Sequence, residues 1–333
     1  MTSSDITDFR IGTFNLENLE DGPHIDPPLA QRLPILRPQL QRMRADVLCL
    51  QEVNAQKIGS GPRTLRALDT LLQDTPYSTY HRACSHAQRG DGLLDKHNLV
   101  VLSRFPITVA RQYWHDLVPP PSYPLQTAVP PELEPHSVTW DRPLLYAEIA
   151  PPGAPPLHLF NLHLRAPLAA LIPGQKAAPF EWKSVPGWAE GYTLAAIKRI
   201  GQALEARLAI DQVFDQESGA LVAVCGDFNA DDYEAPSRLL RAEEQDTGNG
   251  ELAYRSLIAL ERQLPPSRRF TVVHHGRPQM LDHILVSREI LGWHRELEIH
   301  NEDLGDEMVA VRDVRHAPDS FHAPIVASFS RPV

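Results

Sequence analysis

Asp227 and Asn229 stand two residues apart at the end of an apolar run, Leu221 to Cys225, that closes in Gly226. On an extended backbone, side chains two apart point the same way. A carboxylate and a carboxamide therefore project together from one strand end. A carboxylate holds a metal or takes a proton from water; a neighbouring carboxamide orients that water or donates to a phosphate oxygen. The plain alternative is a strand ending in a turn, because Gly, Asp and Asn are also turn residues. The same grammar recurs along the chain. Thr13-Phe14-Asn15-Leu16-Glu17-Asn18 closes a first alternating strand with amides, and the buried run Asp46 to Val53 ends in Gln51-Glu52. Asn161 and His163 sit two apart in Phe160 to Leu164, and Asp282 and His283 are embedded in Leu281 to Val286. Ser320-Phe321-His322-Ala323-Pro324 precedes the last strand. Strands that each present an acid, amide or imidazole fit a single site assembled at the edge of stacked sheets.

The chemistry such a set suits is phosphate ester hydrolysis, which needs a hard cation, an oriented water and a stabilised leaving oxygen. Mg²⁺ takes oxygen ligands and keeps several waters, so one or two carboxylates suffice. Glu52 is the first candidate ligand, because an unpaired carboxylate at the end of a buried strand is costly; the alternative is a Glu that reaches solvent. Asp282 is the second, either on the metal or orienting a histidine. Asn15 is expected to hydrogen-bond a metal-bound water or the phosphate, whereas Asn18 reads as a cap or turn residue.

In order, these segments (FN, QE, N-x-H-L, GDFN, LDH and a final H-x-P) resemble the endonuclease/exonuclease/phosphatase superfamily, the DNase I-like metal-dependent phosphoesterases. The resemblance spans about residues 9 to 329. It implies an α/β fold, a four-layer α/β/β/α sandwich with the site at one edge, in a single domain over 1–333. It implies a Mg²⁺ or Mn²⁺ cofactor and a phosphoester substrate, nucleic acid among the candidates. By resemblance, Asp227 orients or deprotonates the attacking water, Asn229 holds a non-bridging phosphate oxygen, and His163 and His322 contact the phosphate. Asn98, in the strand leading to Leu102-Ser103-Arg104, is expected to line the substrate cleft, while Arg104 and His283 read as structural. Arg165, Lys176 and Lys183 lie in or beside an insertion at 166–187 and are expected to steer an anionic substrate, with solvated surface charge as the alternative. One position departs. The family ends in Ser-Asp-His, and Phe321 stands where that Asp would be; Asp319 and Asp282 are the candidates to replace it.

The 333 residues carry a formal charge of −10, which argues against gripping duplex nucleic acid by bulk charge. It leaves open a nuclease that holds one phosphate through a metal and a few local cations. Three cysteines are too few for a disulfide framework, and Cys49 and Cys225 lie in apolar strands as core residues. The opening MTSSDITDFR lacks a basic and apolar leader, and no apolar run is long enough to span a membrane, so a cytoplasmic location is the expectation. No protein partner can be inferred.

Apolar periodicity predicts a helix over 29–44 interrupted by Pro34 and Pro38, a second over 62–73, and a long one over 188–215 with Leu194, Ile197, Leu204 and Leu208 on one stripe. Short helices are expected near 236–242 and 253–263. Residues 117–136 hold seven prolines and read as a loop. The leading function is a metal-dependent phosphodiesterase or nuclease. The alternatives are a phosphatase of a small phosphoester (inositol phosphate, lipid head group or nucleotide) and, because of Phe321, an impaired member that only binds.

Overall fold

The computed structural model describes residues 8–57, 59–90, 92–308 and 318–331; residues 1–7, read above for a leader, lie outside them. Twelve strands form two six-stranded sheets. In chain order they are β1 (Asp8–Leu19), β2 (Val47–Val53), β3 (His81–Cys84), β4 (Asn98–Ser103), β5 (Ile107–Tyr113), β6 (Leu144–Ile149), β7 (Leu157–His163), β8 (Leu221–Asp227), β9 (Ile258–Ala259), β10 (Asp282–Val286), β11 (His294–Ile299) and β12 (Ile325–Ser330). The first sheet runs β11-β12-β1-β2-β4-β3 and the second β9-β10-β8-β7-β6-β5. Each sheet has one parallel pair at its centre, β1 with β2 and β7 with β8; the other pairings are antiparallel.

A parallel pair needs a crossover long enough to return the chain, usually a helix. Helix α1 (Leu29–Met43) makes the first crossover and α3 (Val185–Gln216) the second. With α2 (Arg66–Leu72), α1 covers the outer face of the first sheet through Leu36, Leu40, Met43, Leu68 and Leu71 on Leu48, Leu50, Val100 and Leu102. Helix α3 covers the second sheet through Ala203, Ala206, Ile210 and Phe214 on Phe160, Leu162, Val222 and Val224. The inner faces meet over Ile11, Val47, Cys49, Leu159, Ala223, Cys225, Ile284 and Ile325. The layers are therefore helix, sheet, sheet, helix, as the resemblance implied. Among the described residues, no helix is long and apolar enough to cross a membrane.

Three local expectations need correction. Helix α1 runs unbroken through Pro34 and Pro38. Both prolines are exposed and four apart, on the outer face, so water can satisfy the carbonyls they leave unpaired. On α3, Leu204 and Leu208 are about two-fifths exposed, and the sheet-facing row is mostly alanine. Small side chains let the helix approach closely: a Cβ on Gly201 would meet the Trp140 ring at 2.1 Å. Residues 253–263 form no continuous helix. A 3-10 turn (Gly250–Arg255), strand β9 and a second 3-10 turn (Leu260–Gln263) replace it, because Ile258 and Ala259 pair with β10.

Candidate active site

The inward-facing positions change character along each central strand. Along β1 they read Phe9, Ile11, Thr13, Asn15; along β7, Leu157, Leu159, Asn161, His163; along β8, Leu221, Ala223, Cys225, Asp227. The apolar members fill the core between the sheets. The polar members emerge together at the carboxyl ends of the parallel strands, where ligands bind in open α/β sheets. Antiparallel β10 begins at that edge, and register places Asp282 opposite Asp227. His322 arrives there just before β12.

Backbone irregularity aims the remaining groups. Glu17, Asn18, Glu52, His97 and Asn229 all have positive φ, between 46° and 60°. Each costs about 1–3 kcal/mol for a non-glycine residue and persists where surrounding structure over-determines it. At Glu52 this break ends the alternation, so Gln51 and Glu52 both turn toward the site edge. Gly226 has φ 134°, and a Cβ there would lie 2.0 Å from the Leu162 carbonyl oxygen, so only glycine brings Asp227 this close to β7.

The carboxylates share donors. Asn15 Nδ2 donates to Asp227 Oδ2 at 3.1 Å and Glu52 Oε1 at 3.3 Å. Asp227 also accepts the Asn229 backbone N–H at 2.8 Å and Asn229 Nδ2 at 3.0 Å. Asn229 Nδ2 donates its other hydrogen to the Leu164 carbonyl at 3.1 Å. In this arrangement both amides position Asp227 rather than presenting free N–H groups. Glu52 Oε2 accepts the Asn18 N–H at 2.9 Å. His163 Nε2 lies 3.4 Å from Asp227 and 3.6 Å from Glu52.

The open question at Phe321 has a geometric answer: His322 Nδ1 is 2.7 Å from Asp282 Oδ2. The segment is fixed to β1, with Ser320 Oγ donating to the Asn15 carbonyl and the Phe321 N–H donating to Glu17 Oε2 at 2.7 Å. Asp319 is not the partner. Burial works against a charged His322, but the Asp282 carboxylate outweighs it and lifts the imidazole to about 10, so the ring is a cation at neutral pH. Burial and the Asp282 charge raise Asp227 to about 7. Burial also pushes Glu52 upward, yet His97, Arg142 and His322 together hold it below the usual carboxylate range.

This donor set fits a divalent cation. Among the described residues Asp282 Oδ1 is buried with no hydrogen-bond partner, and carboxylate oxygens of Asp227 and Asp282 lie within 4.8 Å of one another, with the His322 ring beside them. Glu52 adds a further oxygen beside Asn15. A second group within the same span is Glu52, His97 and His163.

Two expected residues are placed elsewhere. Asn98 is fully buried; Nδ2 donates to the Val53 and Leu94 carbonyls and Oδ1 accepts the Leu94 N–H. It holds the turn before β4 and does not line a cleft. Arg165 pairs with Asp141 at 3.3 Å and donates to the Leu168 carbonyl, tying down the insertion. Lys176 and Lys183 bond the Pro179 and Gly174 carbonyls in the same segment. His283 is buried between Glu261 and the Ala230 carbonyl, with both ring nitrogens engaged away from the carboxylate cluster. Sequence reasoning missed His97, Arg142, Glu17 and Arg32. Arg32 is buried and donates to the Leu16, Glu17 and Pro318 carbonyls, bracing the strand end.

A carboxylate, amide and imidazole cluster at the edge of a four-layer α/β/β/α sandwich defines the DNase I-like class. The chain belongs to the endonuclease/exonuclease/phosphatase family, whose profile matches residues 12–302. No curated protein sequence matches it significantly. Similar solved structures include the endonuclease/exonuclease/phosphatase from Bacteroides vulgatus (TM-score 0.57, 15% identity, covering 98% of this chain and 100% of that one). Truncated Caenorhabditis elegans TDP2 aligns with TM-score 0.54 and 16% identity over 97% of each chain. The 3′ phosphatase NExo from Neisseria, bound to product DNA hairpin, aligns with TM-score 0.51 and 17% identity over 97% of this chain and 99% of that one. Likeness at this identity carries the fold alone; membership of a family of phosphoester hydrolases comes from the sequence profile.

Proposed function

We propose that the chain is a divalent-metal-dependent phosphodiesterase that acts on nucleic-acid-type phosphate esters by in-line attack of water. The observation that carries this reading is the hydrogen-bonded Glu52–Asn15–Asp227–Asn229 chain, buried except at Glu52, beside the Asp282–His322 ion pair. Asp227, held by three donors and raised to about 7, is suited to orient the attacking water and take its proton near neutral pH. His322, a cation fixed by Asp282, places positive charge where a phosphate oxygen would sit. Glu52 and Asp282, with Asp227 beside them, would hold Mg²⁺ or Mn²⁺, which when bound neutralises charge on the phosphate and the leaving oxygen.

A second reading, hydrolysis of a small phosphoester, is favoured by the surroundings. Behind Asn18, whose N–H bonds Glu52, lies a cavity of about 440 Å³ lined also by Glu17, Glu20, Asp26, Asp319, Arg32 and Lys96. Its size suits a small head group, and its acidic balance disfavours a long polyanion. Purified protein should be assayed on bis-p-nitrophenyl phosphate and p-nitrophenyl phosphate with Mg²⁺, Mn²⁺ or EDTA. Metal-dependent cleavage of the diester supports the first reading, cleavage of the monoester alone the second. No cleavage of either ester, or of single-stranded DNA, would sink both and leave a binding protein.

A further inference from the structure

His97 and His163 are paired around one guanidinium. Arg142 is buried, and its NH1 lies 2.6 Å from His97 Nδ1 and 2.8 Å from His163 Nδ1. The two rings stack 5.7 Å apart at 13°. His97 is held at this place by its positive φ and by its N–H, which donates to Asn54 Oδ1 at 2.9 Å. Arg142 is anchored in turn, its carbonyl accepting from Gln202 Nε2.

A guanidinium has only donors and stays protonated in proteins. NH1 has two hydrogens, one for each ring. Both Nδ1 atoms must then offer lone pairs, and each ring carries its proton on Nε2. For His163 that proton is aimed between Asp227 and Glu52, at 3.4 and 3.6 Å. An Nε2 that carries a proton has no lone pair for a cation, and a proton on Nδ1 would face the guanidinium.

We propose that Arg142 is a positioning residue that fixes the Nε2–H form of His163 and His97. His97 and His163 then form a neutral hydrogen-bond donor face of the site, and with Glu52 they are not a second metal site, although the three ligand atoms are close enough for one. The cation belongs to the oxygen cluster of Glu52, Asp227 and Asp282. His163 serves as a fixed donor to a phosphoryl oxygen and does not act as a base. The donor role rests on the phosphoesterase reading; the proton placement does not.

The test is a long-range ¹⁵N–¹H correlation spectrum of EDTA-treated, histidine-labelled protein at neutral pH. His163 and His97 are expected to show a protonated-type Nε2 and an unprotonated-type Nδ1. Addition of Mg²⁺ should leave both patterns unchanged. Finding the proton on Nδ1 of His163, or loss of the Nε2–H signal when Mg²⁺ binds, overturns the proposal. In Arg142→Met the donor that fixes the tautomer is gone, so His163 and His97 should no longer show the single Nε2–H pattern of the wild type; an unchanged pattern in the folded variant also overturns the proposal. Where the wild type cleaves a phosphoester, this variant should lose about 10–100-fold in kcat with a smaller change in KM, the scale for removing a partner that orients a site histidine. The wild-type spectrum decides the proton placement even if Arg142→Met fails to fold or no substrate is cleaved.

Discussion

Asp227→Asn separates the catalytic from the structural role of this carboxylate, because its effect on stability should change sign with pH. In the native protein Asp227 Oδ1 accepts the Asn229 N–H, and Oδ2 accepts from both Asn15 and Asn229. An amide keeps one acceptor. Whichever way it turns, its NH₂ faces at least one donor, at a cost of about 1–3 kcal/mol. Against this stands the cost of the buried charge. Burial and Asp282 raise Asp227 from 3.8 to about 7. A carboxyl that binds its proton more tightly when folded loses stability as pH rises from its unfolded to its folded pKa, at about 1.4 kcal/mol per pH unit. Across this window the loss approaches about 4 kcal/mol. Asparagine does not ionise and escapes it.

The variant should therefore be less stable than wild type near pH 4, by about 1–3 kcal/mol, and equal or more stable near pH 8. Urea unfolding in EDTA, at steps from about pH 4 to about pH 8, measures this difference directly. Other titrating groups contribute to both proteins and largely cancel. In parallel, turnover with Mg²⁺ should fall by about 10²–10⁴-fold, the contribution of a positioned acid–base group. Two stability curves that run parallel across the whole range would refute the buried-charge argument. Near wild-type turnover would refute the role of Asp227 in activating water.

Three further outcomes are expected. Calorimetry of Mg²⁺ or Mn²⁺ binding near pH 6 should show an enthalpy that depends on the buffer, because the cation displaces a proton from Asp227; the dependence should fade as pH rises past about 7, and a buffer-independent enthalpy near pH 6 would contradict it. Gly226→Ala should cost at least about 2 kcal/mol in urea unfolding and depress kcat, since its Cβ meets the Leu162 carbonyl and displaces Asp227; wild-type stability would show that the backbone there is free to shift. Asn98→Ala should cost about 2 kcal/mol by stranding the Val53 and Leu94 backbone groups while leaving KM unchanged; a raised KM at unchanged stability would restore Asn98 to the substrate cleft.

What could be read from the chain follows from how each side chain acquires its direction. Where a regular strand sets it, a two-residue period is enough: Thr13 with Asn15, Asn161 with His163 and Cys225 with Asp227 share inward faces, and the apolar residue two or four earlier lies in the core. That period placed the acids and amides together at strand ends; the sandwich itself was implied by the resemblance of their order to the family and not by the period. Helix α3 was misread for a different reason. Its leucines outrank its alanines in hydrophobicity, but close approach to the sheet selects small residues, so Leu204 and Leu208 are left partly exposed while Leu194, nearer the helix start, is buried against the insertion. The partner of His322 was left open between two acids because the choice depends on register. Asp282 lies opposite Asp227 across an antiparallel pair, and no local pattern states that pairing.

Glu52, His97 and Asn229 are the harder class. Each sits in a left-handed backbone conformation that cancels the alternation, so periodicity gives no direction for the side chain. Glu52 and Asn229 were found because short motifs marked them. His97 had no motif, and Arg142, in the loop before β6, had neither motif nor period. Both act through the state of a neighbouring ring. A sequence shows which groups a site contains; which nitrogen of His163 carries the proton depends on a guanidinium 21 positions earlier in the chain. The chemistry of this edge is set as much by such contacts as by the carboxylates themselves. Replacing Phe321 with the family's acid would add a charge without supplying a missing hydrogen bond, because Asp282 already makes it.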